Sequence, residues 1–474
     1  MSRRGSAYAA RVTRADDTAS FWGDETATVE AVVRWAAQRV VSPTDPKTTA
    51  RPATELARDV GKTITPQGIG GAAALRAFDE VLVPATRSQD DPMNLAYVPS
   101  APTRAAVAFD LATSAANIFG GIWETGAGAI FAENEALAWI VDLLGWPEEA
   151  GGCFVSGGTT GTLSALVTAR QTVAARRGGR PGHGWALACT KAAHSSVFSA
   201  ARVLDVDAVT VPTDDRGHLT GAALRECLTE HAEVFAVVAS AGTTNAGVVD
   251  DLDDIADECA EHGVWLHVDG AYGGAALAAP SVRHLFAGVE RADSFTVDPH
   301  KWLYAPYDCC ALLYRDPRTA RAAHAQRASY LDSIDRDEWN PADLALHLSR
   351  RVRGLPFWFS LATHGTDRYS AAIEHSLRVA REIAAGIERS AHLHLVRAPE
   401  LSVLLFERQG WTPQQCADWS HRMALEGTIL VVPTTWAGRT VFRLIVVNPE
   451  TRADDVLAAL ETMRDDPEES GRPI

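Results

Sequence analysis

Ser294-Phe295-Thr296-Val297-Asp298-Pro299-His300-Lys301-Trp302 is the stretch that decides how this chain folds. A short apolar run leads straight into an acid, a proline, a histidine and a lysine. Upstream, Val264-Trp265-Leu266-His267-Val268 ends in Asp269-Gly270-Ala271. Apolar runs of this length, bounded by polar or glycine-containing segments, mark strands buried on both faces, as in parallel sheets. An acid at the carboxyl end of such a strand stands where open α/β sheets bind their ligands.

Working outward, Gly151-Gly152-Cys153-Phe154-Val155, Ala186-Leu187-Ala188-Cys189 and Phe235-Ala236-Val237-Val238-Ala239-Ser240 repeat the strand signature. Apolar spacing predicts helices over 134–144, 163–176, 194–204 and 251–262. Strands alternating with helices imply parallel pairing and right-handed crossovers, hence an α/β fold around a mostly parallel sheet. Ahead of this region, helical patterns cover 20–38, anchored by Phe21, Val29, Val32, Val33 and Trp35, and then 71–82. The run Tyr97-Val98-Pro99-Ser100-Ala101-Pro102 breaks the pattern, because each proline pushes its predecessor out of the helical region. Beyond 357, a long helix over 363–389, short strands at 401–406, 428–432 and 440–447, and a last helix over 454–464 describe a small α+β domain. The expected division is an N-terminal helical segment 1–102, a large domain 103–356 and a small domain 357–474.

Composition narrows the function. The chain has 474 residues, 46% hydrophobic and 22% charged, which is globular. Its formal net charge of −16 speaks against nucleic acid and against anionic membrane surfaces as partners. Its 7 cysteines are scattered, with neither zinc spacing nor a disulfide framework, so no metal is expected. A reducing, cytoplasmic setting follows. The basic start Met1-Ser2-Arg3-Arg4 lacks an apolar segment after it, so a signal peptide is not expected. No stretch approaches the roughly 18 apolar residues of a membrane span.

The loops after the strands carry the chemistry. Lys301 has the setting of an amine that holds an aldehyde as an imine, and Asp269 that of an acid that keeps a pyridine nitrogen protonated. Ser156-Gly157-Gly158-Thr159-Thr160-Gly161-Thr162 follows a strand and opens a helix; free amides there make an anion cradle. Alone, such a run is more often a turn and a cap. His194, just after a strand, has the shape to stack on a ring, although a histidine at a helix entry is commonly a backbone cap. Thr243 and Thr244 follow the strand ending at Ser240. Gathered on one side of a parallel sheet, these groups meet the needs of pyridoxal phosphate (PLP) and of few other cofactors.

On these motifs the chain resembles the group II PLP-dependent amino-acid decarboxylases, which include aromatic-L-amino-acid, histidine and glutamate decarboxylases. The resemblance spans about 20–464 and is strongest at 294–304, 267–272, 193–196 and 350–365. It implies a fold-type I, aminotransferase-like homodimer whose active sites lie at the subunit interface, with the N-terminal helices embracing the partner. It implies Lys301 as the imine lysine, Asp269 on the ring nitrogen, Ala271 beneath the ring and His194 above it. Gly158, Thr159 and His300 would bind phosphate, and Thr244 would lie near the ring oxygen or the substrate. Tyr97, Pro99, Phe119 and Trp123 fall where the family lines its substrate pocket. Asp298 belongs to the cofactor-binding set but stands where the family usually has asparagine. A carboxylate beside phosphate is unfavourable, so it is expected to bond backbone or His300. The segment 331–343 lacks the tyrosine that the family uses as proton donor; Tyr330 stands only at its start.

The resemblance implies loss of the α-carboxylate of an L-amino acid to give an amine. The donor falls to Tyr330, His194 or water, and a mobile lid is expected from 330 to 343. One alternative is decarboxylation with oxidative deamination to an aldehyde. Another is a PLP-binding subunit without turnover. Tyr97, Phe119 and Trp123 suit an aromatic substrate. The acids of the lid point instead to an acidic one, such as aspartate or 3-methylaspartate, free or tethered to a carrier protein. Arg351 and Arg353 are candidate counter-charges for it, although a structural role is the commoner one for such residues.

Overall fold

A computed structural model describes residues 25–42, 45–182, 184–326 and 337–464. The chain divides into two compact units, Met1–Arg87 and Ser88–Ile474. The first holds helices Thr26–Val41, Ala53–Val60 and Gly71–Ala77, the last continuing as a π-helical turn Phe78–Leu82. Trp35 donates from Nε1 to Asp79 at 2.7 Å and meets the Phe78 ring edge-on at 5.2 Å. None of these helices has a buried residue. Val29, Val32 and Val33, the anchors expected of the first helix, stay exposed.

The second unit is built on a seven-stranded sheet in the order β1-β7-β6-β5-β4-β2-β3. The strands are β1 Gly151–Val155, β2 Ala186–Thr190, β3 Asp207–Val211, β4 Val234–Ser240, β5 Trp265–Asp269, β6 Ser294–Val297 and β7 Cys310–Tyr314. Pairs β2/β3, β2/β4, β4/β5 and β5/β6 are parallel, as expected. β7 is the exception, antiparallel to both β6 and β1. Parallel neighbours need a long crossover, usually a helix. The connection 298–309 holds no helix, the chain turns back along β6, and Lys301 lies in that return. Gly152 in β1 permits the close approach of β7: a Cβ there would sit 1.8 Å from the Leu312 carbonyl oxygen.

The helix Gly158–Arg177 covers one face of the sheet with Ala165, Leu166, Ala169 and Val173, all fully buried. On the other face pack Ile140, Val141 and Leu144 of the helix Trp123–Leu144 and the segment Gly273–Ala278. Helices Ser195–Leu204 and Leu252–His262 match the expected ones within a residue or so. Sequence periodicity missed helices Arg104–Ala116, Gly221–Glu230, Pro317–His324 and Pro413–Glu426, which lack long apolar stripes.

A four-stranded antiparallel sheet, order β10-β11-β9-β8, follows: β8 Leu393–Leu395, β9 Val403–Arg408, β10 Val432–Trp436, β11 Arg439–Ile445. The helix expected over 363–389 is present as Thr366–Arg389, and Gly365, at φ +76°, separates it from a preceding helix, Leu355–His364, that the sequence pattern did not anticipate. The strand expected at 428–432 is displaced. Ile429 and Val431 are buried, but Leu430 pairs with the 93–95 backbone, and β10 begins only at Val432. Among the described residues no helix is long and apolar enough to cross a membrane.

Candidate active site

β1, β2, β4, β5 and β6 run in one direction, so the segments after them gather at one edge of the sheet. That edge carries Gly157–Thr160 after β1, His194 after β2, Thr243 and Thr244 after β4, Ala271 after β5 and Lys301 after β6.

At its centre Lys301 Nζ lies 2.9 Å from Asp298 Oδ2, and His300 Nε2 lies 3.7 Å from the same oxygen. Asp298 is buried. Burial alone would raise its pKa, but the Lys301 and His300 charges more than offset this and hold the carboxyl below its usual range. Burial likewise works against the Lys301 charge, yet Asp298, with a further contribution from Asp269, raises its pKa above the usual lysine value. Asp298 is therefore the counter-ion of the lysine. Its backbone N–H donates to the Ala271 carbonyl at 3.0 Å, and of the partners expected from sequence its carboxylate has His300, at 3.7 Å, but no backbone donor among the described residues. His300 instead has Nδ1 2.7 Å from the Cys309 carbonyl, and burial pushes its pKa down.

Gly158 closes the opposite wall. A Cβ there would lie 3.3 Å from the Ala271 methyl and 3.3 Å from Asp298 Oδ2. Thr160 and Gly161 already donate to the Gly157 carbonyl at 3.0 Å. The Gly158 and Thr159 amides, in the first turn, have no carbonyl of their own helix to serve. Asp269 ends β5, accepts from the Ala271 N–H at 3.0 Å through Oδ1, and has its carbonyl bonded by the Ala241 N–H at 2.8 Å. His194 is exposed. Its Nδ1 accepts from the Ser196 N–H at 3.2 Å, so it caps the helix Ser195–Leu204 as well as facing the site edge.

The expected substrate residues divide. Tyr97, strained at φ +57°, is 70% exposed, and its carbonyl accepts from Arg443 Nη1 at 2.7 Å. Pro99 is buried. Phe119 is partly exposed, and Trp123 begins its helix with its N–H bonded to Asn340 at 2.9 Å. Among the described residues no hydrogen bond or ring contact joins Phe119 or Trp123 to the Lys301 loop. Tyr330 and most of the expected lid lie outside the described residues.

Arg443 was not singled out from sequence. It reaches from β11 to donate to the Thr244 carbonyl at 2.8 Å and to that of Tyr97. It is buried, burial pushes its pKa down to about 10, and Nη2 has no partner. Its signal was an arginine amid Val441-Phe442-Arg443-Leu444-Ile445, where an apolar strand has no use for a charge. Tyr307, also unnoticed, packs on the His300 ring at 4.8 Å. Arg351 and Arg353 are engaged elsewhere, by Asp110 at 2.5 Å and by Asp308. Neighbouring Arg350 forms a buried fork with Glu133, both contacts 2.7 Å.

The residues fit PLP. A primary amine, an acid at a strand end, a glycine wall that a methyl would crowd and free amides at a helix start are grouped at one edge. Asp298 Oδ1, buried without a partner, shows that the pocket is polar.

Residues 73–409 match the pyridoxal-dependent decarboxylase conserved domain. The chain is 30% identical to the aromatic-L-amino-acid decarboxylase of Bacillus atrophaeus, over 78% of this chain and 79% of that one. It is 32% identical to the L-2,4-diaminobutyrate decarboxylase of Rhizobium meliloti (strain 1021), over 84% and 82%. Among solved structures, Oryza sativa TDC with PLP and tryptamine superposes with a TM-score of 0.85 at 25% identity, covering 98% of this chain and 100% of that one.

Proposed function

Because this chain belongs to the family of pyridoxal-dependent decarboxylases, we propose that it removes the α-carboxylate of a free L-amino acid with an aromatic side chain and releases the amine. It is a PLP-dependent carboxy-lyase, and the aromatic substrate is the proposed part. The observation that carries the reading is the pairing of Lys301 with the buried Asp298 beside Asp269 and the Gly158 wall.

Bound at this edge, PLP supplies an aldehyde for amine capture and a ring that accepts electrons. On this reading Gly158, Thr159 and His300 would hold its phosphate, Ala271 and His194 would contact its ring, and Thr244 would contact the ring oxygen or the substrate. Asp269 keeps the ring nitrogen protonated. Lys301 must shed a proton before it can act as a nucleophile, and Asp298 Oδ2 at 2.9 Å holds that proton on the amine until then. The unpaired Nη2 of Arg443 is a desolvated cationic donor that suits the substrate's α-carboxylate. Proton delivery to the α-carbon is assigned to Tyr330 or His194.

Tyr97, Phe119 and Trp123 support an aromatic side chain, as does the similarity to the Bacillus relative. The engagement of Arg351 and Arg353 by acids removes the counter-charges that an acidic substrate would need. Screening the PLP-loaded protein against the common L-amino acids for carbon dioxide, amine and peroxide tests the reading. Turnover of diaminobutyrate or aspartate in preference to every aromatic acid would overturn the substrate class.

One observation favours a second product. Residues 331–343 contain no tyrosine, and lack of a proton donor there would favour the oxidative outcome, in which oxygen and water are consumed and carbon dioxide, aldehyde, ammonia and peroxide are released.

The proposal includes a homodimer, with 1–102, 103–356 and 357–474 as embracing segment, large domain and small domain. Its support is apolar surface: Phe131 is 63% exposed, Leu111 is exposed, and Ile118, Ala129, Leu355 and Trp358 line a hollow of about 410 Å³. Sedimentation of the purified protein checks it, and an active monomer would contradict it.

A further inference from the structure

Beneath Asp269 a chain of buried polar groups runs between β5 and β6 and ends without a partner. Trp265 Nε1 lies 2.8 Å from Ser294 Oγ, and His267 Nδ1 lies 2.9 Å from the same oxygen. His267 and Ser294 are paired across the two strands. Trp265, His267 and Ser294 are 2%, 0% and 0% exposed.

The donors sort themselves. An indole N–H can only donate, so Ser294 Oγ accepts from Trp265. The serine hydrogen then goes to His267 Nδ1, which leaves the imidazole its hydrogen on Nε2. The reverse order would strand both the serine hydrogen and the Nε2 lone pair in a sealed interior, where each unmade bond costs stability. Burial drives the His267 pKa down to about 4, with Asp269 opposing, so the ring is neutral and one nitrogen donates. That Nε2 has no hydrogen-bond partner.

His267 and Asp269 are two apart in β5 and so share one face of the strand. Thr296, paired with Asp269 across to β6, also has a buried and partnerless atom, its hydroxyl Oγ1. Asp269 Oδ1 is held by the Ala271 N–H, while its second oxygen accepts no bond among the described residues.

We infer that His267 is a positioning residue for the cofactor acid: its Nε2–H is the donor on which the Asp269 carboxylate settles once the ring nitrogen is engaged, with its orientation locked by the Ser294–Trp265 relay. The inference rests on the proposed role of Asp269. Asp269 touches the cofactor and His267 does not; it acts only by fixing the carboxylate. A histidine inside a fully apolar strand position then has a reason to be there.

The test is PLP affinity, measured by quenching of protein fluorescence on titration of the cofactor-free protein, in a double-mutant cycle. His267→Phe keeps the ring volume and removes both nitrogens. It should raise the PLP dissociation constant about tenfold, the usual worth of one hydrogen bond to a charged group. His267→Gln, which restores an N–H, should recover most of the loss. In an Asp269→Asn background, His267→Phe should add little. Ser294→Ala, which frees the imidazole without removing it, should weaken binding in the same direction by less. Thermal melting of each cofactor-free variant separates misfolding from misplacement, and Ser294→Ala carries the test if His267→Phe does not fold. Wild-type affinity in both His267→Phe and Ser294→Ala, or a His267→Phe effect undiminished in the Asp269→Asn background, overturns the inference. If Asp269→Asn alone binds PLP as tightly as wild type, the Asp269 reading fails first, a different result from the failure of the relay alone.

Discussion

Lys301 and Asp298, three residues apart in one turn, form an ion pair of a half-buried lysine with a buried acid, Nζ 2.9 Å from Oδ2. Each shifts the other toward its charged form, Asp298 below and Lys301 above its usual range. The resting site is therefore a protected ammonium, and cofactor capture requires its deprotonation. Stability from the lysine is full below the usual lysine pKa and is lost as pH rises through its raised value. Stability from the acid is present above the usual carboxylate range and is lost as pH falls through its lowered value.

Asp298→Asn should shift the pH dependence of PLP capture downward. With the counter-ion gone, burial alone acts on Lys301 and favours the neutral amine. The rate at which visible absorbance appears after mixing PLP with cofactor-free protein, followed across pH, checks this. Coincident profiles for variant and wild type would show that Asp298 does not govern the amine.

Lys301→Ala should abolish borohydride-reducible attachment of PLP and lower turnover by several orders of magnitude, the scale of a lost covalent catalyst. Mass spectrometry after reduction locates the adduct. An adduct on Lys191 in the variant would move the site.

Arg443→Gln should lower kcat/KM on the order of a hundredfold, mostly through KM, because a buried charge partner of the substrate would be missing. PLP affinity should change little. A loss confined to thermal stability would make Arg443 a strut between β11 and the loops at Thr244 and Tyr97.

Tyr330→Phe should lower amine output and raise peroxide and aldehyde if Tyr330 delivers the proton. An unchanged product ratio directs attention to His194, where His194→Gln should then shift the ratio.

Glu133→Ala should destabilise the protein by about 3–5 kcal/mol, since it leaves the buried Arg350 guanidinium unpaired. Denaturant unfolding measures the loss. Glu133 Oε1 also accepts from the Gly354 N–H at 2.8 Å, so the same change loosens the start of the helix Leu355–His364.

Sequence revealed what local pattern controls. Strands β1, β4, β5 and β6 announced themselves as unbroken apolar runs, and the residues just after them proved to share one edge. It was silent where partners come from far away in the chain. The direction of β7 shows only in its antiparallel pairing with β6 and β1, which its own apolar composition does not encode. Asp298 reads as a misfit beside phosphate because a carboxylate repels an anion, and its Lys301 contact shows only in the folded turn. Arg443 meets Thr244 and Tyr97 only after the small sheet has docked, so no motif near it carries the message. Arg351 and Arg353 attracted attention as charges, and the folded chain shows each already paired.

The reversal of β7 has an evolutionary corollary. Most loops at the edge of a parallel sheet tolerate insertions, because a long crossover absorbs them. The connection 298–309 is tethered at Val297 and Cys310 to neighbouring strands whose register is fixed by Ala311 opposite Val297. A single inserted residue there would either displace Lys301 from Asp298 or slip β7 and turn its inward side chains outward. Length variation among natural relatives should therefore be absent from this connection, and a library of one-residue insertions across the protein should show its deepest intolerance between Asp298 and Cys309.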